Sequence, residues 1–222
     1  MKGFFITGTD TDVGKTFVTA CMLRTLVDKR IRVIAYKPVQ SGAQWQDGKW
    51  IAPDVDVYRK VIDVTDEDGC TYLLQTPCSP HLAAKIDGVT IEPDHIVAHV
   101  HQLQQTYDFV LVEGAGGIAV PLVDKSFLIA HLAQLLHLPL IIVARASVGT
   151  INHTVLTVEY AKAFGLQIAG IIMNGFSTPK NEIEQENIRM IEAMTHVPVI
   201  GEIPHMTNFS HQQIVWRKEW WQ

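Results

Sequence analysis

Short apolar runs alternate along the chain with longer segments in which apolar residues recur at helical spacing. The short runs are rich in β-branched residues and bounded by turn signals, and they span residues 4–7, 33–36, 109–112, 140–143, 168–173 and 199–201. Runs that are apolar on both faces are typical of strands buried within a parallel sheet. The helical segments span residues 16–30, 95–105, 127–136, 152–163 and 181–194. Strand alternating with helix predicts an α/β fold, a doubly wound and mainly parallel sheet with helices on both faces.

Right-handed crossovers gather the carboxyl ends of parallel strands along one edge, so we expect ligands to bind there. The polar, glycine-containing segment 40–51 is predicted to be a mobile loop. The tail "IVWRKEWWQ" is predicted to pack as a terminal helix through Trp216, Trp220 and Trp221. Without internal repeats or a linker rich in Pro, Gly or Ser, residues 1–222 are expected to form a single domain.

Composition excludes several classes of protein. The 222 residues are 47% hydrophobic, and 18 basic against 23 acidic residues give a net charge of −5. No Lys/Arg cluster marks a nucleic-acid footprint. Three scattered cysteines without a CxxC predict free thiols in a reducing compartment. The N-terminus lacks a leader pattern, and the apolar run at 138–144 is far shorter than the ~20 residues of a membrane span, so we expect a cytoplasmic protein.

The stretch "FFITGTDTDVGKTF" at residues 4–17 has the context of a phosphate-binding loop, a strand followed by a loop, Gly-Lys-Thr and a helix. Backbone N–H groups of such a loop point at phosphate oxygens. Gly14 allows close approach of the backbone, and Lys15 neutralises phosphate charge. The Thr16 hydroxyl can ligate Mg²⁺. The sequence therefore predicts a P-loop NTPase fold.

This loop departs from the standard pattern in two ways. Five residues separate Gly8 from Gly14, where the pattern has four, and counting from Thr9 restores the spacing. Asp10 and Asp12 also stand where a phosphate would repel them. Either another ligand attracts these acids or they point away.

Two further stretches carry acids suited to a metal. Glu113 ends the strand in "DFVLVEGAGG", where it would face the phosphate loop, and the glycines after it permit close approach to a ligand. In "APDVDVYRK" a helix is expected to begin at Pro53, so Asp54 could turn back into the site. Asp56 is the competing candidate, and helix capping alone would explain one of the two acids.

"AYKPVQSG" places Lys37 after a strand and before Pro38, which stiffens the turn. A lysine at that edge, beside Lys15, gathers two positive charges, which suits an anionic intermediate. Ser41 is close enough in sequence to add a hydroxyl donor. The alternative is that Lys37 is an ordinary surface lysine with no role in a site.

Together these pieces resemble the dethiobiotin synthetase family. The matching stretches are "TGTDTDVGKT" (7–16), "YKPVQSG" (36–42), "VEGAGG" (112–117), "GTINHTVLT" (149–157), the Asn of "IIMNG" (171–175) and "GEIP" (201–204). They follow the family's order over nearly the whole chain. The resemblance implies a single-domain P-loop fold, usually a homodimer, which uses ATP and Mg²⁺ to form a cyclic urea from 7,8-diaminononanoate and CO₂.

The resemblance also implies nucleotide-site roles. Lys37 and Lys15 would be the catalytic lysines, and Thr16, Asp54 and Glu113 would hold Mg²⁺. The Asn174 amide would read the adenine edge, since an amide both donates and accepts. The nucleotide contacts implied are Asp12, Val13, Gly14, Lys15, Thr16, Phe17, Asp54, Glu113, Gly114, Ala115, Gly116, Asn174, Gly175, Pro204, His205 and Met206.

The diamine would meet a second group of residues. Thr11 and Asp12 would face its amino groups, and a cationic diamine accounts for an acid at Asp12. A loop-internal hydrogen bond is the simpler account of Asp10. The contacts implied are Thr11, Asp12, Lys37, Ser41, Gly149, Thr150, Ile151 and Asn152, the last four opening a helix whose N–H groups would bind the carboxylate tail across the dimer interface.

The chain departs from the family at two places. The family often carries Glu where Asp12 stands, and the shorter acid shifts the expected position of an amine. The match is poor after Pro204, where no ribose-binding acid can be assigned.

The implied reaction has three steps, in which an amine captures CO₂ as a carbamate, the carbamate attacks the γ-phosphate, and the second amine closes the ring and expels phosphate. Each step builds or moves negative charge, so the lysines and the metal would act by electrostatics and positioning, with no dedicated general base.

Other functions are possible on the same fold. An ATPase switch of the partitioning or septum-positioning type would carry an additional lysine near the start of the loop, where this chain has Asp10. An amide-forming synthase of the cobyric acid type would add a glutamine-hydrolysing domain, for which 222 residues leave no room. A degenerate relative acting on another substrate is the third alternative.

Overall fold

The structure, a computed structural model, describes residues 3–206, 209 and 214–221. Its strands are β1 (Gly3–Gly8), β2 (Val33–Gln40), β3 (Gln44–Gln46), β4 (Lys49–Ile51), β5 (Cys70–Leu73), β6 (Phe109–Gly117), β7 (Pro121–Asp124), β8 (Phe127–Leu128), β9 (Leu140–Arg145), β10 (Ile168–Phe176), β11 (Val199–Pro204) and β12 (Val215–Trp216). Its helices are α1 (Lys15–Asp28), α2 (Pro53–Tyr58), α3 (Asp66–Gly69), α4 (Pro80–Asp87), α5 (Pro93–Thr106), α6 (Ile129–Leu136), α7 (Thr150–Ala163) and α8 (Glu182–Thr195).

Eight of these strands form one sheet in the order β12-β11-β10-β9-β1-β6-β2-β5. All neighbours are parallel except β12, which runs antiparallel to β11. Every residue of β1 and β2 is buried, so both faces of the sheet are covered, as parallel sheets require. The predicted doubly wound α/β fold is confirmed, and each of the six predicted strands lies within an observed one.

A gap opens near one edge of the sheet, where β2 and β6 separate. Their pairing ends at Tyr36 and Val112, and beyond this point β2 pairs with β5 alone. Pro38 lies in this separated part of β2, where its missing N–H removes no bond to β6. Lys37 and Glu113 are the residues that follow the last pair, so the divergence places them across the gap from each other.

The predicted mobile loop at 40–51 is wrong. Strand β2 continues to Gln40, and β3 and β4 form a hairpin around Asp47 and Gly48, both with positive φ. An Asp-Gly pair suits such a two-residue turn because glycine adopts positive φ without strain. The Trp45 and Trp50 rings meet across the hairpin at 5.3 Å.

The predicted terminal helix is also wrong. Val215 and Trp216 extend the sheet as β12, although the tryptophans do pack together. The Trp216 ring lies 5.2 Å from that of Trp220 and covers Gly201, where an added Cβ would lie 2.6 Å from the ring. The aromatic ring of the edge strand therefore packs on the glycine of the neighbouring strand.

Helix boundaries differ from the prediction by one or two residues. Residues 127–128, which were predicted to begin a helix, instead form strand β8, and α6 begins after them. The Asp124 carboxylate accepts hydrogen bonds from the N–H groups of Ser126 and Phe127, and this closes the turn from β7 to β8. Strand β5 and helices α3 and α4 were not predicted.

Candidate active site

The loop between β1 and α1 presents a set of hydrogen-bond donors at the edge of the sheet. Asp12 and Gly14 have φ of 57° and 90°, and α1 begins directly afterwards at Lys15. No side chain caps the N-terminus of α1, so its first N–H groups are available to an anion. The Lys15 ammonium donates to the Asp10 carbonyl at 3.1 Å and is 7% exposed.

Asp10 is turned away from this set of donors. One of its carboxylate oxygens accepts the N–H of Thr11 at 2.7 Å, and the other lies 3.2 Å from the guanidinium of Arg145. The loop-internal hydrogen bond expected for Asp10 is therefore confirmed.

Glu113 is the centre of a buried polar cluster. It is 0% exposed, and its Oε1 accepts from the Thr16 hydroxyl at 2.8 Å and from the Lys37 ammonium at 2.9 Å. Its Oε2 accepts from Tyr58 at 2.6 Å and from Thr19 at 3.0 Å. Four donors on one carboxylate meet its full hydrogen-bonding capacity and fix its orientation.

Lys37 bridges two acids across the gap in the sheet. Its Nζ lies 2.6 Å from an Asp54 oxygen and 2.9 Å from Glu113, and it also donates to the Gly114 carbonyl at 3.3 Å. Asp56 instead pairs with Arg59 at 2.6 Å. The structure thus selects Asp54 over Asp56 for this site.

The two lysines have opposite pKa shifts. Burial lowers the pKa of Lys15, and the nearby charge of Lys37 lowers it further. Burial also acts to lower the pKa of Lys37, but the carboxylates of Glu113 and Asp54 outweigh it and hold that pKa above its usual value. Burial and the charge of Glu113 raise the pKa of Tyr58 well above its ordinary range, so its hydroxyl keeps its proton.

The donor set at this cluster suits Mg²⁺ shared with a nucleotide. Thr16, Asp54 and Glu113 contribute a hydroxyl and two carboxylates, and all three line one cavity with Lys37, whose ammonium already lies between the acids. This set contains only two carboxylates. The described residues contain no group of three or more His, Cys, Asp and Glu side chains that could hold a metal ion. One or two carboxylates plus phosphate oxygens is the usual protein environment of Mg²⁺.

A cavity of about 600 Å³ joins the phosphate loop to this cluster. Ser41 lines it, and its Oγ is buried with no hydrogen-bond partner, so a ligand there would gain a donor or acceptor. The sequence-predicted residues that line it are Thr11, Asp12, Gly14, Lys15, Thr16, Lys37, Ser41, Asp54, Glu113, Ala115 and Gly116.

Asn174 lies against the phosphate loop at the end of β10. Its Nδ2 donates to the Val13 carbonyl at 3.0 Å, and an added Cβ on Gly14 would lie 2.1 Å from that nitrogen. One amide hydrogen is thus used to hold the loop. Gly175 follows with φ of 88° and nothing within 4 Å of an added Cβ.

The remaining nucleotide candidates lie outside the cavity. Phe17 on α1 has its ring 5.1 Å from that of Phe209. Pro204 ends β11, and the N–H of His205 bonds the Phe176 carbonyl at 2.8 Å. Met206 packs against the hydrophobic core. Pro204 lies close to Asn174 through the pairing of β10 with β11, in which it stands opposite Phe176.

The residues predicted to hold the substrate's tail also lie apart from this cavity. Gly149, with φ of 89°, precedes α7, and no side chain caps that helix either. Thr150 is buried, whereas Asn152 is exposed and Ile151 half-buried. None of the four lines the cavity of the same chain.

Sequence reasoning missed several residues of the site. Tyr58 and Thr19 hold Glu113, and helical spacing offered a signal for both: Tyr58 is four residues after Asp54, and Thr19 three after Thr16. The segment 77–80, with Pro77, Cys78, Ser79 and Pro80, lines the opposite wall of the cavity. No local pattern in that segment marked it.

The fold and this site together define a P-loop nucleotide-binding protein. The chain is 97% identical over 222 residues, 100% of both proteins, to the ATP-dependent dethiobiotin synthetase BioD of Anoxybacillus flavithermus. This chain belongs to the ATP-dependent dethiobiotin synthetase family.

Other comparisons agree. The proteins of that name from Halalkalibacterium halodurans and Bacillus subtilis are 46% and 39% identical, over 92% and 97% of this chain and 85% and 92% of theirs. A family model described as an AAA domain matches residues 2–213. Among solved structures, the septum site-determining protein MinD of Pyrococcus horikoshii matches with a TM-score of 0.58 and 21% identity, covering 91% of this chain and 81% of that one. This last likeness shows the fold alone. In the described part of the chain, no helix is long and apolar enough to cross a membrane.

Proposed function

We propose that this chain catalyses the ATP-dependent carboxylation and ring closure of 7,8-diaminononanoate to dethiobiotin. The observation that carries the proposal is the Lys37 ammonium between Asp54 and Glu113, in the same cavity as the phosphate loop and the unpartnered Ser41 hydroxyl. Membership of the family supports the substrate. A single domain over residues 1–222, acting in the cytoplasm, suffices for this role.

The phosphate loop would bind ATP. The N–H groups at the start of α1, with Lys15, would hold the β- and γ-phosphates, and the Asn174 amide would reach the adenine with the atoms that Val13 leaves free. Mg²⁺, held by Thr16, Asp54 and Glu113, would neutralise phosphate charge when bound.

The diamine would lie on the other side of the cavity. Asp12 and Thr11 would face its amino groups, and Ser41 would give its hydroxyl to the carbamate. The tail carboxylate would reach the N–H groups of Gly149, Ile151 and Asn152 in the partner of a homodimer, because those residues lie outside the cavity of their own chain. The N–H of Thr150 bonds the Ser147 carbonyl at 3.1 Å and is not a free donor.

The chemistry follows from these positions. A neutral amine attacks CO₂ and loses a proton to give a carbamate, and a carbamate oxygen then attacks the γ-phosphorus with ADP as the leaving group. The second amine attacks the carbonyl carbon, closes the cyclic urea and releases phosphate. Lys37, kept protonated by its two carboxylates, would stabilise the negative charge that develops at each step.

Replacing Lys37 tests the proposal. We expect Lys37→Gln to lower the rate of dethiobiotin formation by about 10²–10³-fold, because it removes a charge aimed at the reacting anions. The matched control is Lys49→Gln, which removes an exposed lysine paired with Asp66 at 3.1 Å and should keep the parent rate. Mass spectrometry of the product provides the measurement. A folded Lys37→Gln variant with the parent rate would refute this role.

A further inference from the structure

The two oxygens of Glu113 have different surroundings. Oε1 bonds Thr16 and Lys37, and both of those residues line the cavity. Oε2 bonds Tyr58 and Thr19, and neither of those lines it. The carboxylate therefore offers one oxygen to the cavity, while the other is committed to the protein interior.

Tyr58 is the stronger of the two donors on Oε2. The Thr19 hydroxyl has one proton, and that proton is shared between Glu113 at 3.0 Å and the Lys15 carbonyl at 2.9 Å. The Tyr58 hydroxyl donates to Glu113 at 2.6 Å and has no second acceptor among the residues that the structure describes. Its side chain is 0% exposed, so water does not compete for the bond.

Helix α2 supplies both Tyr58 and Asp54. The two residues are four apart and lie on one face, so one short helix provides a carboxylate for the cluster and the hydroxyl that holds the other carboxylate. The Tyr58 hydroxyl touches neither the cavity nor the phosphate loop. Its effect on the reaction must pass through Glu113.

We propose that Tyr58 is a positioning residue that sets the metal preference of the site, because it holds Oε2 of Glu113 in the interior, so that Oε1 is the oxygen that faces the cavity where a divalent cation would bind. The inference rests on the proposed Mg²⁺- and ATP-dependent function. It adds a role for a residue that the reaction itself does not use.

The preference follows from the coordination habits of the two common cations. Ca²⁺ takes six to eight oxygens in flexible geometry and readily accepts both oxygens of one carboxylate. Mg²⁺ demands a near-octahedral shell and binds carboxylates through few oxygens, beside phosphates and water. A carboxylate with one oxygen withheld therefore favours Mg²⁺ over Ca²⁺.

The test compares cation binding in the parent, Tyr58→Phe and Tyr36→Phe, each with saturating ADP. Tyr36→Phe is the matched control, because Tyr36 is also 0% exposed and its hydroxyl bonds a single side chain, Thr71, at 2.6 Å. Mn²⁺ is titrated first and followed by electron paramagnetic resonance, and Mg²⁺ or Ca²⁺ then displaces it. The metal binding of ADP itself is the same in every sample.

We expect Tyr58→Phe to raise the Ca²⁺-to-Mg²⁺ affinity ratio about tenfold, as for the loss of a partner that orients a metal ligand. Tyr36→Phe should leave the ratio unchanged. A general loss of packing would weaken both cations together and would not move the ratio. An unchanged ratio in folded Tyr58→Phe overturns the proposal.

Two further outcomes are separable. If Tyr58→Phe does not unfold cooperatively like the parent, the same titration is made with Thr19→Val. A smaller rise in the Ca²⁺-to-Mg²⁺ affinity ratio then supports the proposal, and an unchanged ratio overturns it. A parent protein that binds no Mn²⁺ with ADP would refute the metal-dependent function itself.

Discussion

Lys15 and Lys37 share one cavity, yet the protein stabilises only one of their charges. Lys37 has two carboxylates within 3 Å, whereas the Lys15 ammonium donates to a backbone carbonyl. The Lys15 charge is therefore unfavourable in the free protein, and binding of a polyanion would relieve it. Stability given up at a binding residue is a common trade for function.

This difference predicts how the stability of Lys15→Met depends on pH. The Lys15 pKa is lowered from 10.5 in the folded state, so the charged form destabilises the fold at pH 7. The effect is fully present below the folded pKa and disappears as the pH rises to 10.5, where the unfolded state loses its proton as well. We expect Lys15→Met to be more stable than the parent at pH 7, with a gain that shrinks towards pH 10.5.

Urea unfolding at several pH values measures this gain, with the exposed Lys85→Met as a control for the change of side chain. A gain that stays constant or grows with pH would contradict the account of Lys15.

Single residues of the site were predictable where a local motif fixes them. Gly14, Lys15 and Thr16 follow from a strand–loop–helix context that needs no tertiary information. The choice between Asp54 and Asp56 could not be made, because it depends on which side of α2 faces Lys37 on β2.

At the scale of elements, the phosphate loop packs closely against the end of β10. Gly14 has φ of 90°, and its missing side chain makes space for the Asn174 amide. The hydrogen bond from Asn174 to the Val13 carbonyl then fixes the loop from the neighbouring part of the sheet.

A substitution at Gly14 should therefore have two separable effects. Gly14→Ala forces left-handed backbone on alanine, at a cost of about 1–2 kcal/mol in the free energy of unfolding. It also displaces Asn174, so we expect ATP affinity to fall at least about tenfold. Gly88→Ala is the control, because Gly88 has φ of 69° but nothing within 4 Å of an added Cβ.

Calorimetric titration with ATP, beside thermal unfolding, distinguishes the two effects. Gly14→Ala should lose at least as much stability as Gly88→Ala, because it also displaces the Asn174 amide, and only Gly14→Ala should lose affinity. Equal ATP binding by the two variants would show that Asn174 does not hold the loop.

The order of the elements was predictable from apolar periodicity, but the ends of the strands were not. Strand β2 runs through Pro38 because β6 has already separated from it, which is a property of the sheet rather than of the local sequence. The tryptophans of the tail pack as a cluster on β12 because Gly201, fifteen residues away in sequence from Trp216, leaves room for a ring. The turn pair Asp47-Gly48 was a local signal that favoured a hairpin over a mobile loop.

At the scale of the whole molecule, one chain does not bring all the proposed substrate contacts together. The cavity contains Lys37 and Ser41, whereas Asn152 is exposed at the start of α7. A symmetric dimer can join a cavity from one subunit to a helix start from the other. The family resemblance implied both parts and a tail contact across the dimer interface, and the fold adds that the two parts lie apart within one chain.

Subunit mixing tests this arrangement. Lys37→Gln and an Asn152→Asp variant, which places a negative charge beside the substrate's carboxylate, should each be nearly inactive alone. If the site is shared, a mixture allowed to exchange subunits regains about a quarter of the parent activity, since half of the dimers then contain one intact site. No recovery, in a mixture that mass photometry shows to have exchanged as dimers, would place the whole site within one chain.

The coupling of phosphate release to the diamine is the most direct test of the central claim, that this P-loop site transfers phosphate to a carbamate rather than to water. Phosphate release from ATP is measured with Mg²⁺ and bicarbonate, with and without 7,8-diaminononanoate, beside dethiobiotin in the same samples. The account predicts almost no release without the diamine and one phosphate for each dethiobiotin with it. Steady ATP hydrolysis at the same rate with and without the diamine, as an ATPase switch would show, would contradict this account.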